Sequence, residues 1–272
     1  MKVTCEAGHL AKFLGRVMSK GLVGIGKTAT IEPLFGDCVI ELAGGEAIVK
    51  SMDLMNTVML HARIDGAEVE GEGMIAVSNI PKMVAILNTY KKKEKVTLEY
   101  PAPGSRVRGV LYNESRSNVA DLAVPDVESI STNMSGKTST GNYRDEVDLL
   151  AATPAIGPYK IAGGIRLPGA PLRIIETDAK DIVRVAEVTL RVSPDKGLEV
   201  EINKPNADVG RFHAFDVEFI TSPFTFGAMY GRGFFSAINK MQGVVEMFFM
   251  DNDSIVVRDK EFGYAVNSLE TS

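Results

Sequence analysis

The pattern of apolar and polar positions along the chain predicts four amphipathic helices that carry basic residues on their polar faces. The first helix is predicted over Gly8–Lys20. Its apolar positions share the spacing of one helical face: Leu10, Phe13, Leu14, Val17 and Met18. Its basic positions recur every four residues and form a separate stripe: Lys12, Arg16 and Lys20. This helix therefore presents one face to a core and a cationic face elsewhere.

Three later segments repeat this arrangement. The second helix follows Asn79 and has Pro81 near its first turn. The third is predicted from Asp178 to about Val192, and the fourth from about Phe226 to Met241. Their basic residues are Lys82, Lys91, Lys92 and Lys93 in the second, Lys180, Arg184 and Arg191 in the third, and Arg232 and Lys240 in the fourth. The run Lys91–Lys93 is the weakest part of the pattern, because the helix dipole favours cations at any helix C-terminus.

Short segments rich in β-formers separate these helices, and their order predicts an α+β fold with antiparallel sheets. The predicted strands are Val39–Leu42, Ala47–Lys50, Thr57–Ile64, Lys95–Tyr100, Arg106–Tyr112, Leu172–Thr177, Leu198–Ile202, Val217–Thr221, Val244–Met250, Ile255–Arg258 and Tyr264–Leu269. The plan of helix, strands, helix and strands therefore occurs twice. Because residues 121–170 are rich in Ser, Thr, Gly and Pro, we predict domains over 1–120 and 171–272, joined by a connector with an extra loop or hairpin.

Charge and cysteine content narrow the functional class. The 272-residue chain has a formal net charge of -5, so its cationic helix faces indicate a local surface for a polyanion. Cys5 and Cys38 are too few for a disulfide framework and fit a reducing compartment. The N-terminal segment does not resemble a signal peptide, and no apolar run is long enough to span a membrane. We therefore expect a cytoplasmic, nucleoid-associated protein, or a nuclear or viral replication compartment in a eukaryotic host.

One segment, Gly21–Thr28, matches the phosphate-binding pattern G-x-x-x-x-G-K-[ST]. That loop works between a buried strand and a helix, whereas here a helix is predicted before it, and Pro33 with β-forming residues follows it. We interpret it as a glycine-rich loop after a helix; the alternative function is a nucleotide-binding enzyme that uses this loop. The three histidines and two cysteines lack metal-ligand spacing, so no cofactor or metal is expected.

Several stretches resemble the DNA sliding clamps of the proliferating cell nuclear antigen type. The similarity lies in the order of four short stretches over most of the chain: Glu46–Leu60 with Ser51-Met52-Asp53, Ile80–Leu98, Asn118–Pro125, and Ser254–Tyr264. Three features depart from that family: a longer stretch between Val127 and Leu172, a C-terminus without the usual proline-containing ending, and the loop Gly21–Lys27. The resemblance therefore implies a divergent archaeal, viral or phage member.

The resemblance implies a DNA clamp fold of two similar domains, each with two inner helices, that forms a homotrimeric ring and is not an enzyme. The DNA-facing residues would be Lys12, Arg16, Lys20, Lys82, Lys91, Lys180, Arg184, Arg232 and Lys240. DNA polymerase and other clamp-binding proteins would insert short hydrophobic motifs into a pocket under the connector, formed by Met52, Val124, Val127 and Ile130. An ATP-driven clamp loader would open the ring. Subunits would join through edge strands near Arg106–Tyr112 and Arg116–Ala120.

Overall fold

The computed structural model describes residues 1–18, 20–23, 30–33, 36–52, 58–101, 108–123, 137–138, 141–142, 147–182, 187–203 and 211–269. Antiparallel strands dominate this part of the chain, and its four helices are α1 (Ala7–Val17), α2 (Ile80–Leu87), α3 (Gly169–Ile182) and α4 (Arg232–Lys240). The predicted α+β class is confirmed.

The strands are numbered in chain order. They are β1 (Lys2–Glu6), β2 (Lys20–Val23), β3 (Thr30–Pro33), β4 (Cys38–Ala43), β5 (Glu46–Met52), β6 (Val58–Arg63), β7 (Glu68–Glu70), β8 (Gly73–Val77), β9 (Lys95–Glu99), β10 (Arg108–Asn113), β11 (Val119–Ala123), β12 (Lys137–Thr138), β13 (Gly141–Asn142), β14 (Val147–Asp148), β15 (Ala155–Ile156), β16 (Ile161–Pro168), β17 (Glu187–Ser193), β18 (Gly197–Asn203), β19 (Arg211–Phe215), β20 (Glu218–Phe219), β21 (Phe226–Tyr230), β22 (Val244–Met250), β23 (Ile255–Arg258) and β24 (Phe262–Val266).

The chain divides into two units. Unit 1 comprises Met1–Ser19, Pro33–Asn56 and Leu60–Asn142, and unit 2 comprises Lys20–Glu32, Thr57–Met59 and Tyr143–Ser272. Each unit contains two runs of hydrogen-bonded antiparallel strands and one pair of packed helices, α1 with α2 in unit 1 and α3 with α4 in unit 2. The sequence plan predicted this repetition of elements.

In unit 1 the strands follow the orders β11-β10-β9-β1-β7 and β6-β5-β4-β8. Successive side chains of a strand point to opposite faces of the sheet, so every second residue of β4 and β5 faces the core. The residues buried on this face are Ile40, Leu42, Ala47 and Val49. The turn between these strands uses Gly44-Gly45, both with positive φ, as a tight turn between antiparallel strands requires. The predicted strands and glycine turn in this region are confirmed.

In unit 2 the strands follow the orders β20-β16-β22-β23-β24 and β19-β18-β17-β21. One face of β22–β24 is covered by residues 147–160, which we call the covering segment. Leu149 of this segment is completely buried and lies against Gly263, where an added Cβ would be 2.9 Å from the Leu149 Cβ. Arg258 donates hydrogen bonds to the carbonyl oxygens of Ala151 and Ala152 and so holds the segment on the sheet.

Three secondary-structure predictions in the second half are wrong. The strand predicted over Leu172–Thr177 belongs to helix α3, which begins at Gly169. The helix predicted from Asp178 to Val192 ends at Ile182, and strand β17 follows at Glu187. The helix predicted from Phe226 begins only at Arg232, because Phe226–Tyr230 pairs with β17 as strand β21. Residues 161–168, inside the predicted connector, form strand β16, which pairs with β22.

The surroundings of the glycine-rich loop differ from those of a phosphate-binding loop. Gly21–Val23 lies in strand β2, residues 24–29 are outside the described part, and the next described element is strand β3, paired with β2. A strand therefore stands where a phosphate-binding loop has a helix. Among the described residues, no helix has the length and apolarity needed to cross a membrane.

Candidate nucleic-acid interface

Helix α1 separates a core face from a cationic face. Its buried residues are Ala7, Leu10, Ala11, Phe13, Leu14 and Val17, and they follow the predicted apolar spacing. Lys12 is exposed and Arg16 is half-buried on the polar side. The helix ends at Val17, before Lys20, which instead begins strand β2.

Helix α2 starts where the sequence predicts. The Asn79 side chain accepts a hydrogen bond of 2.8 Å from the Lys82 backbone N–H, and Pro81 occupies the first turn. Ile80, Met83 and Leu87 are buried, whereas Lys82 is exposed. Because α1 packs against α2, the cations of both helices belong to one helical layer of unit 1.

The chain after α2 forms a turn of three exposed lysines, Lys91–Lys93, which we call the lysine turn. It lies against the N-terminus of α1, since the Gly8 backbone N–H donates to the Lys92 carbonyl oxygen at 2.9 Å and that of Ala7 to the Glu94 carbonyl oxygen at 2.8 Å. A Cβ added at Gly8 would be 2.8 Å from the Lys92 carbonyl oxygen. Only glycine therefore allows this close approach.

A hydrogen-bond network fixes the conformation of the lysine turn. The Glu94 carboxylate accepts one bond from the Lys91 backbone N–H at 3.0 Å and another from the Asn113 side-chain amide at 2.7 Å. Asn113 is buried, and its side-chain oxygen accepts a bond from the Asn118 backbone N–H at 3.2 Å. The bonds from Asn113 and Lys91 hold the pKa of Glu94 below its ordinary value.

Most cations on the strands of unit 1 form ion pairs, and the exposed Arg108 of β10 is an exception among the described residues. Lys2, Lys50 and Lys95 pair with Glu70, Glu41 and Glu68, and Arg63 pairs with Glu46. In the described part of the chain, no ion pair includes Lys12, Lys82 or a lysine of the lysine turn. Helices α1 and α2 contain no Asp or Glu. The cationic surface of this helical layer is therefore not neutralised by its own elements.

Unit 2 has a different charge distribution. The sequence of α3 includes Glu176, Asp178 and Asp181 beside Arg173 and Lys180. Asp178 is buried and pairs with Arg211 and His213 of β19, with 2.8 Å between its Oδ2 and the His213 Nε2. Helix α3 is therefore not a basic helix, and its buried carboxylate connects it to the edge strand β19.

The remaining predicted DNA-facing residues of unit 2 are placed only at backbone level or lie outside the described part. Arg232 and Lys240 are the first and last residues of α4, whose sequence contains no Asp or Glu, and Lys180 lies in α3. Arg184 lies outside the described residues. Arg191, predicted on the third helix, lies on β17 and pairs with Glu201 at 2.8 Å, so its helical assignment is wrong.

Of the predicted partner-binding residues, Met52 is buried at the end of β5, and Val124, Val127 and Ile130 lie outside the described residues. The pocket of these four residues therefore stays a prediction. A separate cavity of about 250 Å³ lies in unit 1 between β8, α2 and β11, and Lys82 and Asp121 are among its lining residues.

Besides β7, β8, β20 and β21, two strands of the larger sheets have one hydrogen-bonded neighbour each among the described strands: β11 pairs with β10, and β19 with β18. Each exposes a large apolar side chain, Val119 at 52% and Phe212 at 56%. Arg106–Tyr112 is predicted to lie near an edge; its described part, in β10, lies between β9 and β11 and is therefore next to the edge. The edge is β11, which begins at Val119, within the second predicted range, Arg116–Ala120.

Sequence reasoning assigned Lys92 and Lys93 to the second helix but not to the DNA-facing residues, and it missed the residues that hold the lysine turn. The run Lys91–Lys93 looked like the ordinary cationic end of α2, yet α2 ends at Leu87 and the turn contacts the start of α1 instead. The available signal was Gly8 in the first turn of a strongly amphipathic helix. A glycine there lowers helix propensity and needs a packing reason.

Comparison with known proteins bears on the fold. No protein-family profile and no curated protein matches the chain. A solved structure described as the C-terminal region of FEN-1 bound to A. fulgidus PCNA is similar with a TM-score of 0.66 and 13% sequence identity, covering 100% of this chain and 99% of that chain. Together with the duplicated plan of antiparallel strands and paired helices, this likeness gives the chain the α+β fold of a DNA clamp.

Proposed function

We propose that the protein is a DNA sliding clamp, a processivity factor that encircles duplex DNA without reading its sequence. The observation that carries this proposal is the charge distribution in unit 1: Lys2, Lys50 and Lys95 of the strands are paired with carboxylates, whereas α1, α2 and the lysine turn keep Lys12, Lys82 and Lys91 out of the described ion pairs. Phosphate contacts of lysine and arginine are independent of sequence, as a sliding protein requires. The clamp fold supports the same conclusion.

The edge strands β11 and β19 support a closed ring of three copies. An edge strand exposes free N–H and C=O groups and is a template for another strand. Strands β11 and β19 have five residues each, and each exposes an apolar side chain, Val119 and Phe212. Pairing β11 of one copy with β19 of the next is a head-to-tail contact, which forms a closed ring where the rotation between copies closes and an open filament where it does not. The cavity beside β11 would then receive an apolar side chain such as Phe212.

The partners follow from this function. The similar solved structure contains the C-terminal region of FEN-1, so its clamp binds a segment of another protein. For this chain we propose DNA polymerase and other clamp-binding proteins with short hydrophobic motifs as partners, together with an ATP-driven loader that opens the ring. The protein itself would catalyse no reaction, since it acts by topology.

Two measurements test the proposal. The native mass should approach three times the 29.4 kDa chain mass as the protein concentration rises. Once loaded, the protein should remain on closed circular DNA and be lost after the DNA is linearised. A chain that stays monomeric at every concentration, or that leaves circular and linear DNA equally fast, would contradict the clamp.

The variant Lys27→Ala provides the matched control for the alternative nucleotide-binding function. In the clamp this substitution leaves the native mass and the retention on DNA unchanged. Loss of nucleotide binding in this variant would instead support an enzyme that uses Gly21–Thr28.

A further inference from the structure

We propose that the lysine turn is a preorganised contact for DNA phosphates, and that Glu94 and Asn113 are its positioning residues. This inference rests on the proposed function and deepens it, because it identifies a surface and a device that the helix pattern alone does not contain. The argument has four parts: how the turn is attached, where its charge lies, how it continues along α1, and why a carboxylate stands among lysines.

The turn is attached by backbone hydrogen bonds and therefore does not depend on the lysine side chains. Its carbonyl groups at Lys92 and Glu94 accept bonds from the Gly8 and Ala7 N–H groups. The Glu94 backbone N–H donates to the Lys91 carbonyl oxygen at 2.9 Å, which closes the turn. All three lysine side chains remain exposed. A fixed backbone with exposed ammonium groups reduces the entropy lost when a phosphate binds.

The position of the turn is unfavourable for the stability of the free protein. A helix N-terminus carries a partial positive charge, so three lysines at the start of α1 are disfavoured by the dipole. The first turn of α1 contains no acidic residue, so the nearby carboxylates are those of Glu6, the N-cap, and Glu94, in the turn itself. The three lysines outnumber these two carboxylates, and a phosphate at this point would meet both the lysines and the helix dipole.

The turn continues the basic stripe of α1. Gly8 contacts Lys92, and Lys12 and Arg16 follow Gly8 at intervals of four on the same helical face. From Gly8 to Arg16 the helix rises by about 12 Å, at about 1.5 Å per residue. The lysine turn and the stripe therefore form one cationic track rather than two separate patches, and such a track fits the backbone of a duplex.

The carboxylate of Glu94 opposes this track electrostatically, so its presence needs another reason. Its two oxygens accept from the Lys91 N–H and from the buried Asn113 amide, which ties the turn to the β10–β11 hairpin. In Glu94→Gln one of these donors would face an NH₂ group and lose its acceptor. The substitution therefore removes one negative charge from the track, which favours DNA binding, but it also loosens the turn, which weakens DNA binding.

The experiment measures binding of a short linear duplex by the full-length protein as a function of salt. At about 0.1 M salt each phosphate contact contributes about an eightfold factor in affinity and a slope of about 0.9 in log K against log salt. Glu94→Gln should weaken binding by about three- to eightfold and lower the slope by up to about 0.9. Lys92→Gln should do the same. Glu114→Gln, an exposed glutamate in the adjacent hairpin, is the matched control and should bind as well as wild type or more tightly.

A double variant separates positioning from charge. Glu94→Gln with Asn113→Asp exchanges the donor and the acceptor, restores their hydrogen bond, and has the net charge of wild type. Its affinity and salt slope should return toward wild type, with the native mass unchanged. If Glu94→Gln binds as tightly as Glu114→Gln with the same slope, the positioning role is overturned while the clamp stands. If wild type loaded on DNA leaves closed circular and linear DNA equally fast, the proposed function itself fails.

Discussion

Substituting Gly263 by alanine tests whether the covering segment packs on β24 as described. The added Cβ would lie 2.9 Å from the Leu149 Cβ and 3.0 Å from the Leu149 carbonyl oxygen. Ordinary contact needs several tenths of an ångström more. Leu149 cannot move freely, because it is completely buried and Arg258 holds the carbonyl groups two and three residues further on. The main chain must therefore shift, and the clash destabilises the folded state.

The expected cost follows from two opposing terms. Overpacking a well-filled site costs about 1–3 kcal/mol. Replacing glycine by alanine returns about 0.4–1 kcal/mol through the entropy of the unfolded chain. Since Gly263 does not have a positive φ, no backbone strain is added. The free energy of unfolding should therefore fall by about 1–2 kcal/mol, as measured by urea denaturation.

The variant Gly227→Ala is the matched control. Gly227 also lies in a strand, but the nearest atoms to an added Cβ are 3.9 and 4.0 Å away, so this substitution should be neutral or slightly stabilising. Leu149→Ala should cost about 2–5 kcal/mol and should not rescue Gly263→Ala, because alanine keeps the Cβ and the carbonyl group that clash. Equal stability of the Gly263 and Gly227 variants would refute the packing of Leu149 on β24.

Three further predictions concern a carboxylate, the thiols and a helix cap. Burial raises the pKa of Glu246, but hydrogen bonds from Arg166 and Arg258 outweigh this effect and lower the pKa overall. The ionised carboxylate therefore stabilises the folded protein above about pH 4.3, and this stabilisation is lost as the pH falls further. The difference in free energy of unfolding between wild type and Glu246→Gln should shrink between about pH 7 and about pH 3. Burial raises the pKa of Cys5 to about 12 and also raises that of Cys38, so a thiol reagent at neutral pH should modify neither until urea unfolds the chain. Asn79→Ala should lower the free energy of unfolding by about 1 kcal/mol, because it removes the cap of α2; no change in the urea midpoint would contradict the cap.

The first half of the fold could be predicted because several local signals agree there. Asn79 and Pro81 mark the start of α2, Gly44-Gly45 marks a turn, and the apolar spacing of α1 matches the period of a helix alone. Each of these signals depends on residues close in sequence. The elements predicted there therefore agree with the structure to within a few residues, whereas strands β1, β7 and β8 were not predicted.

The second half was less predictable because one apolar pattern fits two periods. Val188, Leu190 and Val192 alternate as in a strand, yet Ile182, Val185, Ala186 and Leu190 also fit one helical face. The segment is a strand because β17 pairs with both β18 and β21. No signal close in the sequence reveals these two partner strands. Pro171, near the start of α3, was a usable signal for a helix, but the prediction placed a strand directly after it, at Leu172–Thr177.

The candidate site was predictable in composition but not in arrangement. Lys12, Lys82 and Lys91 could be chosen from the sequence because helical spacing separates them from the apolar positions. The contact of the lysine turn with Gly8 and the bond from Asn113 to Glu94 join residues that are distant in the chain. Such contacts arise from tertiary packing, and neither composition nor periodicity encodes them.

In the proposed ring each contact joins two different edges, β11 of one copy and β19 of the next, and this has a genetic consequence. A copy damaged at β11 still has an intact β19, so it joins other copies and leaves a gap that cannot close. When half of the copies are damaged, about one ring in eight contains only intact copies. A substitution such as Val119→Lys would therefore be dominant over the normal allele. A substitution that unfolds the chain would be recessive, because the unfolded copy never enters a ring.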